Sequence, residues 1–218
     1  MATKNVWSGV GIAVQSALAT AVTVGAGGIT KASPAVATYT GTDPTNGDYL
    51  YLSSFLGMTQ LDERVVRAAN VNAGANTVEL EGVDSTLYDT MVSGNMQVIT
   101  FGTTLNIVTG MSGSGGEFEF IDATLIHDTV RSRIPGVASP ISLDLTCIWD
   151  PSDAGLLALK TASDSKAKRA IRVSFSGGAK FLFVGYIGCT IIPTGNAQEL
   201  VTTRVQIEGQ GRATAYST

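Results

Sequence analysis

The sequence predicts an all-β protein, a β-sandwich or barrel with one flanking helix, joined to a small accessory β-barrel domain. Three observations carry this. Apolar and polar residues alternate with period two along the C-terminal half, at 117–122, 141–149, 171–176 and 201–208. That period marks strands with one buried and one wetted face. In the N-terminal half, short β-branched and aromatic runs are separated by closely spaced turn signals, the texture of a small barrel. Only one stretch, about 151–163, opens with helix-start chemistry.

Residues 1–21 form an expected N-terminal arm. Val10, Ile12, Val14, Ala17, Leu18 and Ala21 suit a short helix or a strand, and their spacing does not choose between them. An uncharged apolar terminus needs a surface to lie on, either its own body or a neighbouring copy. Residues 22–97 are expected to form the accessory barrel. Candidate strands at 49–52, 64–68 and 77–80 lie between turn signals at Pro34, in 41–48 and at Asn72-Ala73-Gly74.

Residues 98–218 are expected to form the sandwich domain. A β-branched run through Thr109 leads into the Gly/Ser-rich stretch 110–116, which reads as a flexible hinge or a long hairpin tip. A strand at 117–122, a basic loop at Arg131-Ser132-Arg133 and a strand after Pro140 follow. In that last strand Ile141, Leu143, Leu145, Cys147 and Trp149 share the buried face. Asp150-Pro151-Ser152-Asp153 then reads as a helix start, with Asp150 as N-cap, Pro151 at the first helical position and Asp153 near the positive end of the dipole. Leu156, Leu159 and Ala162 give the helix one apolar face for the sandwich. Further strands at 171–176, 180–192 and 201–208 are separated by turns at Gly177-Gly178 and at 193–196.

Composition narrows the function. Charged residues are 15% of the 218, so the surface of a free monomer would tend to associate, and copies of the chain are the natural cover. A net charge of −4 disfavours tight electrostatic binding to nucleic acid, which needs clustered Lys and Arg. Two cysteines, Cys147 and Cys189, read as reduced core residues, too few for a disulfide framework. Residues 5–30 lack formal charge, yet glycines, Gln15 and Ser16 interrupt them, which disfavours both a membrane span and an export signal after Lys4.

No catalytic constellation is visible, and no enzyme activity is expected. His127, the only histidine, lies between Asp122 and Asp128 without a nucleophile elbow anywhere in the chain. The glycines of 110–116 precede a strand, whereas a phosphate loop must open a helix. The 43–48 cluster misses the spacing of a calcium loop, and no metal-ligand spacing occurs. No cofactor or metal is expected.

Two stretches carry resemblances. VTGMSGSGGEFEFIDATLIHDTVRSRIPGVASP, running on to CIWDPSDAGLLALK, resembles the major tail tube proteins of long-tailed bacteriophages, over about residues 98–218. The resemblance implies a tail-tube-type β-sandwich and a structural subunit of the virion tail, assembled in the bacterial host cytoplasm. It implies hexameric rings stacked into a tube for genome ejection. The partners would be copies of itself and the tape measure, terminator and baseplate or tip proteins. DNA would pass through without specific binding, and no membrane would be involved. NGDYLYLSSFLGMTQLDERVVRAANVNAGANTVELEGVDSTLYD is similar to a small β-barrel module first named from ubiquitin-activating enzymes, the first catalytic cysteine half-domain. Relatives of that module are spliced into phage structural proteins. This likeness covers about 22–97 and implies the fold alone, since the stretch contains no cysteine. The accessory domain is expected to decorate the outside of the assembly.

Ring formation has a physical basis here. Exposed strand edges invite pairing with another copy, and head-to-tail pairing that closes by rotation gives a ring. The inward face of so wide a barrel should be polar. The lumen candidates are Glu117, Glu119, Asp144, Gln206 and Glu208, and net negative charge there would repel DNA phosphates. Candidate subunit contacts are Gly113, Gly115, Arg131 and Arg133. The competing reading is a monomeric β-sandwich binding or adhesion module of a virion or cell surface. Such modules expose aromatics at a groove, whereas Trp7 and Trp149 fall in the arm and on a face expected to be buried.

Overall fold

The computed structural model describes residues 8–217. Trp7 and the start of the expected arm lie outside the described residues. Strand β1 (Gly11–Val14) resolves the choice left open for the arm: it is a strand, with Ile12, Ala13 and Val14 all buried. Burial on both faces explains why the segment shows no clean alternation.

The chain then leaves this sheet for the small barrel. Its strands are β2 (Ala17–Leu18), β3 (Val22–Val24), β4 (Ala35–Thr38), β5 (Tyr49–Leu56), β6 (Arg64–Asn72), β7 (Thr77–Leu80) and β8 (Ser93–Thr100). They pair in the order β2-β8-β5-β6-β7-β4, with β3 also on β8. A bridge between Thr23 and Thr40 brings the β3 end back beside the β4 end. The wall so formed encloses Leu50, Leu52, Met58, Val66, Leu80 and Met96. Each such side chain contributes roughly 1.5–3 kcal/mol by leaving water.

Strand β9 (Thr103–Leu105) returns to the first sheet as the antiparallel neighbour of β1. Just beyond, β2 pairs β8 through Ala17 and Thr100, so one two-stranded ribbon runs from the sandwich into the barrel. At the crossing the Ser16 hydroxyl donates to the Thr100 carbonyl (3.1 Å) and accepts from the Gly102 N–H (3.0 Å). The barrel is thus an insertion within a hairpin, and the sandwich is completed by residues from before it.

The remaining elements are β10 (Val108–Ser114), β11 (Phe118–Asp122), β12 (Arg133–Ala138), β13 (Ser142–Ile148), α1 (Ala154–Asp164), β14 (Arg169–Ser174), β15 (Lys180–Cys189) and β16 (Thr202–Tyr216). Seven strands form an antiparallel sheet in the order β10-β13-β16-β15-β14-β1-β9. Strands β15 and β16 run through both halves of it. Residues 202–208 of β16 pair with β13, whereas of β15 it is residues 180–185 that pair with β14. At the passage Gly185 pairs with Gly209, and a Cβ on Gly185 would lie 2.7 Å from the Glu208 carbonyl oxygen. Only glycine allows that approach.

Both halves wrap a single core. Leu145, Cys147, Val205 and Ile207 come from one half, Ile12, Ile171, Val173 and Phe183 from the other, and α1 inserts Leu156, Leu159 and Ala162. The sheet curls until its ends approach: Val10 and Ile12 share a cavity of about 290 Å³ with residues 108–111 of β10.

Four local expectations are corrected. The helix starts at Ala154, and its N-cap is Asp153, whose Oδ1 accepts from the Leu156 N–H (2.8 Å). Asp150 instead accepts from the N–H and hydroxyl of Ser152 (2.9 and 2.7 Å), and Pro151 belongs to that turn. The Gly/Ser stretch is no hairpin tip, because Gly110–Ser114 are strand residues paired with β13. Residues 118–122 have no buried face; every residue of β11 is exposed. The last strand runs on past Glu208 to Tyr216, through glycines that break its alternation.

Candidate functional site: a projecting hairpin and a bare polar sheet face

Strands β10 and β13 continue into β11 and β12 as one long hairpin with a break in the middle. The break falls at Gly115-Gly116, opposite Ser139-Pro140. Gly115 and Gly116 have φ of +87° and +82°, and a Cβ on Gly115 would sit 1.9 Å from the Pro140 carbonyl oxygen. These are positions for glycine alone. Pairing carries across the joint through Gly116 N–H to Ser139 O (3.0 Å) and Ser139 N–H to Glu117 O (2.8 Å).

Beyond the joint, among the described residues, β11 and β12 pair only with each other. The tip spans 123–132 and is held by local bonds. Asp122 accepts from the Thr124 N–H (2.9 Å), and Asp128 accepts from the Leu125 N–H (2.9 Å). The Thr124 hydrogen bonds hold the Asp122 carboxyl below its usual range. His127 is an exposed residue of this tip.

The hairpin presents apolar surface to solvent. Phe118, Phe120, Ile121, Ile134 and Val137 are each at least 48% exposed, and Ile126 at the tip is fully so. A two-stranded ribbon has no core of its own and is marginal alone in water, and exposed apolar surface of this kind makes it the candidate interaction site. Sequence reasoning missed it by assigning the phenylalanines to a buried face. Arg131 and Arg133 are exposed on the tip and on β12, Arg133 in register with Asp122. Glu117 and Glu119 are exposed on this same ribbon.

Asp144, Gln206 and Glu208 come together elsewhere, on the outer face of β13 and β16. In register, Asp144 faces Gln206 and Ser142 faces Glu208. Glu208 Oε1 accepts from Ser142 Oγ (2.9 Å) and Gln206 Nε2 (2.8 Å). Asp144 Oδ1 accepts from Arg204 Nε (3.1 Å) and Nη2 (2.8 Å). Two carboxylates and one guanidinium leave this patch one net negative charge. The sequence placed Arg204 on the face of Gln206 and Glu208; what it hid was the pairing with Asp144. Glu117 and Glu119 are not part of the patch.

Gly113 lies on β10 opposite Leu143, and β10 is an edge of the sheet, with its outer backbone groups available to another strand. Trp149 is half-buried and donates its indole N–H to the Ile191 carbonyl (2.9 Å). Cys147 and Cys189 are free and buried, and burial pushes the Cys147 thiol up to about 11, leaving it protonated and inert. Among the described residues no group of His, Cys, Asp and Glu is placed to hold a metal ion.

An all-β subunit whose exposed features are a sheet edge, an apolar hairpin and a polar face is a structural component for assembly. Residues 56–218 match the family of phage tail tube proteins (TTP), and the chain belongs to that family. It is a structural subunit of a phage tail tube, not an enzyme, and its place is the virion tail. There it assembles with copies of itself and with other tail proteins. The match begins at Leu56, inside the inserted barrel and upstream of residue 98, where the likeness was expected to start. A comparison with curated proteins finds no match. Among the described residues no helix is long and apolar enough to cross a membrane.

Proposed function

We propose that the protein forms hexameric rings that stack into a tube, and that the lumen of this tube conducts DNA during genome ejection. The observation that carries the reading is the projecting hairpin, a ribbon whose apolar side chains the described residues leave about half exposed or more. A neighbouring copy supplies that cover. Gly113 on the open β10 edge and Gly115 at the joint let backbone approach backbone. Arg131 and Arg133 reach carboxylates of the adjacent copy, where a guanidinium binds in bidentate fashion.

Edge pairing that closes by rotation makes the ring, and a barrel of that width keeps an open lumen. Asp144, Gln206 and Glu208 line it, with Glu117 and Glu119 joining where the hairpin crosses to the next copy. The net negative charge repels phosphates, and DNA slides without specific binding. The tape measure, terminator and baseplate or tip proteins meet the tube, and assembly takes place in the host cytoplasm.

Negative-stain electron microscopy of the purified protein tests the reading. Rings or tubes are expected, and the double variant Phe120→Asp/Ile126→Asp is expected to stay as dispersed subunits. Wild-type preparations that remain monomeric under all assembly conditions, or tubes that form equally well from the variant, would contradict it.

A further inference from the structure

The outer surface of the curled sheet is of two kinds. One region, over β13 and the first half of β16, is bare and polar. The other, over β14 and the far halves of β15 and β16, lies under the inserted barrel. There Ala170, Leu182, Val184 and Tyr216 form one buried cluster with Tyr49, Val65 and Ile99 of the barrel.

The contact is more than a tether. Tyr216, near the end of β16, accepts from the Arg67 N–H (2.7 Å) and donates to the Glu81 carbonyl (3.2 Å). Its ring lies 4.7 Å beneath the Arg67 guanidinium, which is ion-paired with Glu81. Arg64 Nε donates to Thr214 Oγ1 (3.0 Å), and Lys168 pairs with Glu63 (2.9 Å). With the ribbon at Ser16 and Gly102, the barrel is held at both ends of the contact. A body fixed at separated points cannot swing about either one.

We infer that the inserted barrel is the outer wall of the tube, held at a fixed bearing by a clasp of Tyr216, Arg67 and Glu81. The inference rests on the ring reading above. A ring can turn only an unobstructed sheet region toward its axis, and the barrel obstructs one of the two. The bare region therefore faces the lumen, and the barrel is carried outside, in the same orientation on every copy.

Cysteine labelling of assembled tubes tests the placement, since the native Cys147 and Cys189 are buried and contribute little background. Leu87→Cys probes the barrel, where Leu87 is 94% exposed, and Thr146→Cys probes the bare face. A polymer-linked maleimide is expected to label both in unassembled subunits. In tubes it should still label Leu87→Cys and lose access to Thr146→Cys. Polymer labelling of Thr146→Cys in tubes, or protection of Leu87→Cys, would overturn the placement while leaving the ring reading intact. If no tube forms from the wild-type chain, both fall.

The bearing is tested with Tyr216→Ala tubes. Averaged electron-microscopy images should lose the barrel's density and keep that of the tube wall. Barrel density as sharp as in wild type would overturn the clasp.

Discussion

Asp144 accepts two hydrogen bonds from the Arg204 guanidinium on the neighbouring strand, so the residue expected to give the polar face its acidity is compensated by a cation. The remaining charge of that patch sits on Glu208, between Ser142 and Gln206. A patch with one paired and one unpaired carboxylate carries one excess negative charge, is wetted and holds no phosphate strongly.

Reversing that excess should affect transport more than folding. Half-exposed charges on a sheet face contribute about 1 kcal/mol or less, so the double variant Asp144→Lys/Glu208→Lys should fold and form tubes. Particles built from it should deliver their genomes poorly. Thermal unfolding, microscopy and infectivity together check this, and unimpaired delivery would remove these residues from the lumen.

The hairpin joint depends on Gly115. Alanine there meets the Pro140 carbonyl and adopts a left-handed backbone conformation, which costs about 1 kcal/mol or more. Gly113→Ala has more room, its Cβ meeting nothing closer than 3.6 Å. Gly115→Ala should slow or block tube assembly, while Gly113→Ala should slow it less. Light scattering during assembly measures the difference.

Asp153, not Asp150, caps the helix. Loss of an N-cap costs about 1 kcal/mol, so Asp153→Ala should lower stability by that amount in chemical denaturation. Asp150→Ala should cost less, because it removes only a local turn. Equal losses would place the helix start wrongly.

The clasp makes stability depend on acid. Hydrogen bonds from Arg67 hold the Glu81 carboxyl below its ordinary value. A carboxyl depressed in the folded state contributes stability above its unfolded value, about 4.3, and loses it as pH falls through the folded value. Glu81→Gln should therefore be less stable than wild type at neutral pH, with the deficit shrinking below about pH 4. Urea denaturation across that range reads it directly; a deficit independent of pH would contradict the pairing.

Much of the sandwich was legible where its strands have one dry face and one wet one. Leu143, Leu145 and Cys147 alternate with Ser142, Asp144 and Thr146, and burial follows that alternation. Leu156, Leu159 and Ala162 gave away the helix face in the same way. Where both faces are covered, as at Ile12-Ala13-Val14, there was no period to read. Where neither is covered, as at Phe118 and Phe120, the pattern was present without the buried face it usually marks, since no other described strand packs on the ribbon. The insertion of the barrel was hidden for a different reason. Pairing of β1 with β9 joins residues on either side of the whole domain, and no local pattern records a contact at that separation. The polar patch was half legible: alternation found Asp144, Gln206 and Glu208, while the Arg204 pairing needed the register between strands.

The most direct measurement is a cryo-electron-microscopy reconstruction of the assembled tube. It should show Phe118, Phe120 and Ile126 of each hairpin buried against another copy, with Asp144 and Glu208 facing the channel. Hairpins left in solvent, or a channel lined by the inserted barrel, would contradict the account.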